Sequence, residues 1–264
     1  MLAMISFSRL KIIFPLIWII AALGCVRESD GPKYSENQQK AVRVATDEIA
    51  TTEPTSDSRP VSTSSWHSYL SQLSEDDQSY LITLSSKYYG TLEYEGREAE
   101  MNLMRLGFPR IEDWIKARSL SSEQLRSLAE KGDQNSKIFY AERIAERIDA
   151  LQKATGEKSL GEIAKYYTPS ELGDIQNDAV YAYATSAELL RSRPTAFNAY
   201  LFGRVYSATH GNDAPIAASI LLAHDLGDER AREILFGYSS NEEKIAPSLT
   251  LDTYKSMRKM AGLP

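Results

Sequence analysis

Marked helix starts are the feature that most constrains the fold of this 264-residue chain. Residues 121–124 have the spacing of a capping box, in which Ser121 and Gln124 each bond the other's backbone N–H. Leu120 and Leu125 flank this box at the positions of a hydrophobic staple. Residues 168–171 repeat the box, with a proline at the first helical position, where no hydrogen bond is lost. Each device predicts that a helix begins there.

Helical periodicity extends this prediction along the chain. Over residues 133–154 one face is apolar: Ala141, Ile144, Ala145, Ile148 and Leu151. The charged residues fall elsewhere on that helix: Glu142, Arg143, Glu146, Arg147 and Asp149. Asp213 and Ser240 are further candidates for N-caps. Asn-Gly turns and sustained period-two runs of Val, Ile and Thr, which indicate strands, are missing from the sequence. The sequence therefore predicts an all-α fold of antiparallel helical hairpins.

The chain divides into three parts. Residues 1–24 combine two basic residues, Arg9 and Lys11, with an apolar run over 12–22, which is the pattern of a secretory signal peptide. This run is too short for a spanning helix, which requires roughly 20 apolar residues. Residues 25–64 are polar and contain little that could be buried, which predicts a disordered tether. Residues 65–264 are long enough to form one helical domain that is stabilised by its core.

Cys25 is the only cysteine, and it lies at the expected end of the signal peptide. The sequence Ala22-Leu23-Gly24-Cys25 resembles the lipobox of bacterial lipoproteins. The resemblance implies that Cys25 becomes the lipidated first residue and that its acyl chains attach the protein to the membrane. Val26 follows where an aspartate would imply inner-membrane retention, so the resemblance implies the outer membrane, facing the periplasm. An ordinary cleaved signal peptide with an incidental cysteine is the alternative.

Composition restricts the chemistry of the predicted domain. Without a cysteine after Cys25, it has no disulfide, thiol nucleophile, zinc–cysteine site or iron–sulfur cluster. The full chain carries 30 basic and 36 acidic residues, so removal of Arg9 and Lys11 with the signal peptide leaves a net charge of −8. No block rich in lysine or arginine occurs. This argues against nucleic acids and anionic lipid surfaces as partners.

Residues 199–237 are the clearest candidate for a structural repeat. The motif residues are Gly203, Tyr206, Gly211, Ala223, Gly227, Asp228 and Ala231. They resemble a tetratricopeptide-like repeat of the Sel-one type, which implies a hairpin of two helices. Small residues would then let the helices approach closely, Gly227 would end one helix in a left-handed conformation, and Asp228 would cap the next. A fainter copy begins at residues 128–133, and a generic helical bundle is the alternative.

Motifs for catalysis or metal binding are scarce. The three histidines, His67, His210 and His224, are widely spaced, and no calcium loop, serine elbow or phosphate loop occurs. We therefore expect no metal site and no cofactor. The only catalytic option is a carboxylate pair that hydrolyses glycan, drawn from Glu93, Glu95, Glu98 and Glu100. A solvated loop and a helix start explain this cluster better, because acids are favoured in the first helical turn.

Tyrosines are the other residues of functional interest. Nine of them are Tyr88, Tyr89, Tyr94, Tyr166, Tyr167, Tyr181, Tyr183, Tyr200 and Tyr206. Tyrosine is enriched at recognition surfaces because it buries a large area and keeps a polar tip. We nevertheless expect at least half of these side chains to complete the helical core.

Two classes of function remain open. The first is a lipid-anchored periplasmic helical-repeat protein that acts as a scaffold or binds a protein or peptide, an inhibitor or immunity protein being one form of it. The alternative is a cell-envelope enzyme that acts on peptidoglycan through a carboxylate. A deep pocket with two facing acids would favour the enzyme, whereas a shallow groove lined by tyrosines would favour binding.

The lipobox makes a direct prediction for Cys25. Replacement by serine removes the thiol that would be acylated, so Cys25→Ser is expected to block lipidation and change the processing of the precursor. Fractionation of cells and labelling with radioactive palmitate measure this. A Cys25→Ser chain that is processed and remains bound to the membrane would contradict the lipoprotein hypothesis.

Overall fold

The computed structural model describes residues 65–241 and 247–264, and the predicted signal peptide, Cys25 and the whole predicted tether lie outside them. The described residues form twelve α-helices. They are α1 (Trp66–Leu70), α2 (Glu75–Lys87), α3 (Gly96–Arg105), α4 (Ile111–Ser119), α5 (Ser122–Glu130), α6 (Gln134–Thr155), α7 (Leu160–Ile163), α8 (Pro169–Ser192), α9 (Ala196–His210), α10 (Ala214–Asp225), α11 (Ala231–Asn241) and α12 (Pro247–Met260). Extended pairing in this part of the chain is limited to one isolated bridge between Ser65 and Glu95. The predicted all-α fold is confirmed.

Both predicted capping boxes are present. At α5, Ser121 Oγ accepts the N–H of Gln124 at 3.2 Å, and the Gln124 side chain accepts the N–H of Ser121 at 2.7 Å. Thr168 and Glu171 form the equivalent pair of bonds at α8. These bonds satisfy N–H groups that have no partner inside the helix. A third box, from Ser159, begins the short helix α7 and was not predicted.

Two predicted N-caps differ from the structure. Asp213 precedes α10, but its carboxylate accepts a bond from Ser207 Oγ. Asn212 Oδ1 instead accepts the N–H of Ala214, so the neighbouring amide performs the capping. Ser240 lies within α11 and therefore begins no helix.

Helix α9 lies at the centre of the described helices. Ten of its fifteen residues are buried, and it packs against α6, α8 and α10. A helix that is apolar on several sides is stable only where neighbours cover those sides. The consecutive pairs α5–α6, α8–α9 and α9–α10 pack against each other and are joined by three-residue connections. The predicted helical hairpins are therefore present.

The α9–α10 hairpin is close-packed at Gly203. A Cβ atom at this position would lie 2.3 Å from Ser219 Oγ and 2.8 Å from the Pro215 carbonyl oxygen. Contacts that short do not occur in folded proteins, so only glycine allows this approach. Gly211 ends α9 in the left-handed conformation, at φ 64°. Tyr206, on the same helix, packs partly buried against the core.

The two candidate repeat turns share one backbone geometry. Gly132 and Gly227 both have φ of 97°. In each turn the N–H of the following aspartate donates to a carbonyl five residues earlier. Asp133 donates to Leu128 at 3.1 Å, and Asp228 donates to Ala223 at 3.0 Å. The predicted left-handed conformation of Gly227 is confirmed, and the flanking Ala223 and Ala231 are buried. Membership of the Sel-one repeat type stays a prediction.

The tight crossing at Gly203 predicts a contrast between two helical glycines. Gly203→Ala is expected to cost about 2 kcal/mol of the free energy of unfolding, because the added methyl group overpacks the crossing. Gly173 lies within α8, where a Cβ atom meets nothing within 4 Å. Gly173→Ala should therefore gain about 0.5–1 kcal/mol from helix propensity. Urea denaturation of the two purified variants measures both values. An equal effect at the two positions would contradict the close approach of α9 and α10 at Gly203.

Candidate functional site

A buried carboxylate on α6 is the most unusual polar feature of the described helices. Glu142 is only 2% exposed, although the sequence places it off the apolar stripe. The Tyr88 hydroxyl donates to Glu142 Oε2 at 2.5 Å. Arg204 Nε on α9 donates to both carboxylate oxygens at 2.9 Å, and its Nη2 donates to Asp149 at 2.8 Å. The network therefore joins the end of α2 with α6 and α9.

Opposing effects determine the charges in this network. Burial raises the pKa of the Glu142 carboxyl, while the Arg204 guanidinium acts against that rise. Burial alone would lower the pKa of Arg204, but Glu142 and Asp149 outweigh it and raise that pKa. Burial also raises the pKa of the Tyr88 hydroxyl well above its usual value, so Tyr88 is a neutral donor. Both Glu142 oxygens are occupied by these donors, so the group acts as an acceptor that holds helices together.

A cleft of about 280 Å³ lies beside the network, between α2, α4 and α6. Its lining residues are Tyr80, Trp114, Ala117, Arg118, Phe139, Glu142, Arg143 and Glu146. Two cross-helix ion pairs involve this lining, Arg118 with Asp77 at 2.6 Å and Lys87 with Glu146 at 2.5 Å. We call this the charged cleft. Aromatic rings and charges of both signs therefore meet in one concavity.

A second concavity lies beside α3. This α3 groove, of about 220 Å³, is lined by Met104 of α3, by Asn198 of α9, and by residues of the adjoining turns and of helices α4, α6 and α8. Asn198 is almost fully buried, and its Nδ2 donates to the Arg193 carbonyl at 2.8 Å. Its Oδ1 has no hydrogen-bond partner among the described residues. A buried acceptor without a donor costs free energy, so Asn198 is a locally unfavourable residue in the lining of the groove.

The four acids singled out in the sequence are divided between two separate concavities and an exposed helix start. Glu93 and Glu95 line an open cleft near His67, but both are solvent-exposed. Glu100 lines a separate small cavity, and Glu98 is exposed at the start of α3. Glu93, Glu95 and Glu98 thus lie in the exposed loop and helix start that were predicted, whereas Glu100 is partly buried beside apolar residues.

Tyrosines mostly complete the core, as expected. Tyr88, Tyr94 and Tyr200 are buried. Four more pack partly buried against the core: Tyr167, Tyr181, Tyr183 and Tyr206. Tyr89 and Tyr166 are exposed. Each of the four concavities described in this section has at most one tyrosine in its lining, so none of them is a groove lined by tyrosines.

The histidines lie apart. His210 is the last residue of α9, which ends at the left-handed Gly211. Its ring stacks on Tyr206 with centroids 4.3 Å apart. His224 lies near the end of α10 and His67 lies within α1. Within residues 65–241 and 247–264, no cluster of three or more His, Cys, Asp or Glu side chains is suitable for holding a metal ion.

Comparison of the chain with protein-family models, with curated proteins and with solved structures finds no match. Across the described helices, none combines the length and the apolar character that crossing a bilayer requires.

The buried network predicts unequal roles for two glutamates one turn apart. Glu142→Gln keeps the shape but leaves the buried Arg204 with only the partly exposed Asp149 as a charge partner, at an expected cost of about 3 kcal/mol. Glu146→Gln removes a partly exposed pair with Lys87 and should cost less than about 1 kcal/mol. Urea denaturation of both purified variants measures this difference. Equal losses would mean that the Glu142–Arg204 pair has no special structural role.

Proposed function

We propose that this protein is a lipid-anchored envelope protein whose helical domain binds a protein partner through α3 and the α3 groove. The anchor would be Cys25, and the polar stretch 25–64 would give the domain a typical reach of roughly 35 Å from the membrane. Residues 65–264 would then search the space near the membrane for the partner. An inhibitor or immunity protein is one form of this function.

The observation that carries the proposal is the exposed face of α3. Leu103 is the only buried residue among the ten of this helix, all of them described. Met101 and Met104 are 49% and 37% exposed. Methionine is flexible and polarizable, and it is common on surfaces that bind protein partners. A helix that holds so little of the core and exposes two methionines is therefore well suited to contact another protein.

The neighbouring groove indicates what the partner offers. Met104 lines the groove that also contains the unsatisfied Oδ1 of Asn198. A segment of a partner protein can present apolar side chains to Met101 and Met104, and backbone N–H groups to the side chain of Asn198. Binding would thus cover apolar area at Met104 and place hydrogen-bond donors beside Asn198.

The enzyme alternative has no comparable support. Glu142 and Glu146 are four residues apart on α6, so they lie side by side on one wall of the charged cleft. A glycan-cleaving pair flanks the bond from two sides. Both acids are also engaged by cations of this chain, Arg204 and Lys87.

Photo-crosslinking in cells that produce the chain naturally tests the proposed surface. A photoreactive amino acid at Met104 should give one adduct of defined mass upon irradiation, because this side chain would lie in the interface. Ile82 on α2 is 54% exposed and lines neither concavity, which makes it the matched control. The same probe at Ile82 should give no such adduct.

Two outcomes would contradict the proposal. One is the absence of an adduct at Met104, and the other is the same adduct at equal yield from both positions. A Met101→Asp substitution in the Met104-labelled chain places a charge on the apolar face. It should lower the adduct yield about tenfold, since desolvating a carboxylate at an interface is unfavourable.

A further inference from the structure

The charged cleft has features of a small-molecule site that the proposed partner surface does not use. Its volume of about 280 Å³ lies near the lower limit for small-ligand sites, which are typically about 300–1,000 Å³. Its walls belong to three helices, so they are more rigid than loops. Trp114 and Phe139 form an aromatic wall, with ring centroids 4.7 Å apart. The cleft is therefore of the right size and rigidity for a compact ligand.

Trp114 is a buried aromatic part of the cleft lining. The side chain is 2% exposed, and its Nε1–H has no acceptor among the described residues. Indole N–H groups that are buried usually have a partner, because an unmet donor costs free energy. The indole therefore gives the cleft a rigid aromatic wall whose donor is left without a partner among the described residues.

Two arginines line the charged cleft, and they differ in how firmly they are held. The Arg143 guanidinium is held in place by the carbonyls of Ala117, at 2.7 Å, and Leu120. Arg118 lies over the Tyr80 ring, with 5.4 Å from Cζ to the centroid. The Arg118 side chain is 40% exposed and pairs with Asp77. Exposed pairs of this kind contribute little to stability, so a ligand carboxylate could share Arg118 at low cost.

Carboxylates balance these cations. Glu146 is partly exposed where it pairs with Lys87, and its remaining lone pairs can accept from a ligand ammonium group. Burial, together with Glu146 and Glu142, raises the pKa of the Tyr80 hydroxyl, so Tyr80 adds a neutral polar group. The lining holds Arg118 and Arg143 against two glutamates, which leaves no net charge. A purely anionic or purely cationic ligand would meet repulsion from one of the two sets.

We infer that the charged cleft binds a small zwitterion, a free amino acid or a dipeptide. Its carboxylate would lie near Arg118, and its ammonium group near Glu146. This site is separate from the α3 surface, and the inference does not depend on the proposed partner.

Titration calorimetry of the full-length chain in detergent tests this with three probes. Alanyl-alanine carries both charges, N-acetyl-alanyl-alanine only the carboxylate, and alanyl-alanine amide only the ammonium group. The free dipeptide should bind with a Kd of about 1 mM or tighter. Each blocked form should bind about tenfold more weakly, since one charge-assisted contact is lost. Equal binding of either blocked form, or no binding of alanyl-alanine, would overturn the inference.

Matched arginine variants locate the site. Arg118→Gln should weaken binding of alanyl-alanine about fivefold or more. Arg126 on α5 has a similarly exposed side chain, 39%, and does not line the cleft, so Arg126→Gln should bind like the parent. Both substitutions affect exposed pairs and are expected to leave the fold intact. An equal loss in the two variants, or none in Arg118→Gln, would place the dipeptide elsewhere and overturn the inference.

Discussion

The ion pair between Glu142 and Arg204 is the contact on which the described helices most depend. It joins α6 to α9, and the Tyr88 hydroxyl adds the end of α2 to the same carboxylate. Apolar packing alone tolerates small shifts between helices, but a buried charge requires its partner at hydrogen-bond distance. The network therefore fixes how these three elements meet, and the Tyr88 ring packs against Phe197 of α9 with centroids 5.1 Å apart.

The same arrangement separates two kinds of surface. The charged cleft is bounded by α2, α4 and α6. The buried Glu142 is part of its lining, so the network also holds this side of the cleft in place. Helix α3 buries only Leu103 and exposes its methionines. A rigid polar concavity suits a small ligand, and an adaptable apolar helix suits a protein partner. The small-ligand proposal thus rests on a cleft between firmly packed helices, and the partner proposal rests on α3, which the core holds less firmly.

Local signals in the sequence predicted the helices well, and long-range contacts could not be predicted from it. The capping boxes at Ser121 and Thr168 depend on residues three positions apart, so their spacing is visible in the sequence. Glu142 was expected outside the core because one apolar stripe was assumed for α6. That helix has several packed neighbours, and the partner Arg204 lies 62 residues away. Neither the unsatisfied Trp114 Nε1 nor Asn198 Oδ1 leaves any signal in the sequence, because each depends on what surrounds it after folding.

A double-mutant cycle measures the central contact most directly. The free energy of unfolding would be determined for the parent, Glu142→Gln, Arg204→Met and the double variant. If the pair fixes α6 against α9, the second substitution costs much less once the first is present, with a coupling of about 2 kcal/mol or more. Additive losses, with a coupling below about 0.3 kcal/mol, would show that the two residues act independently and would contradict this account.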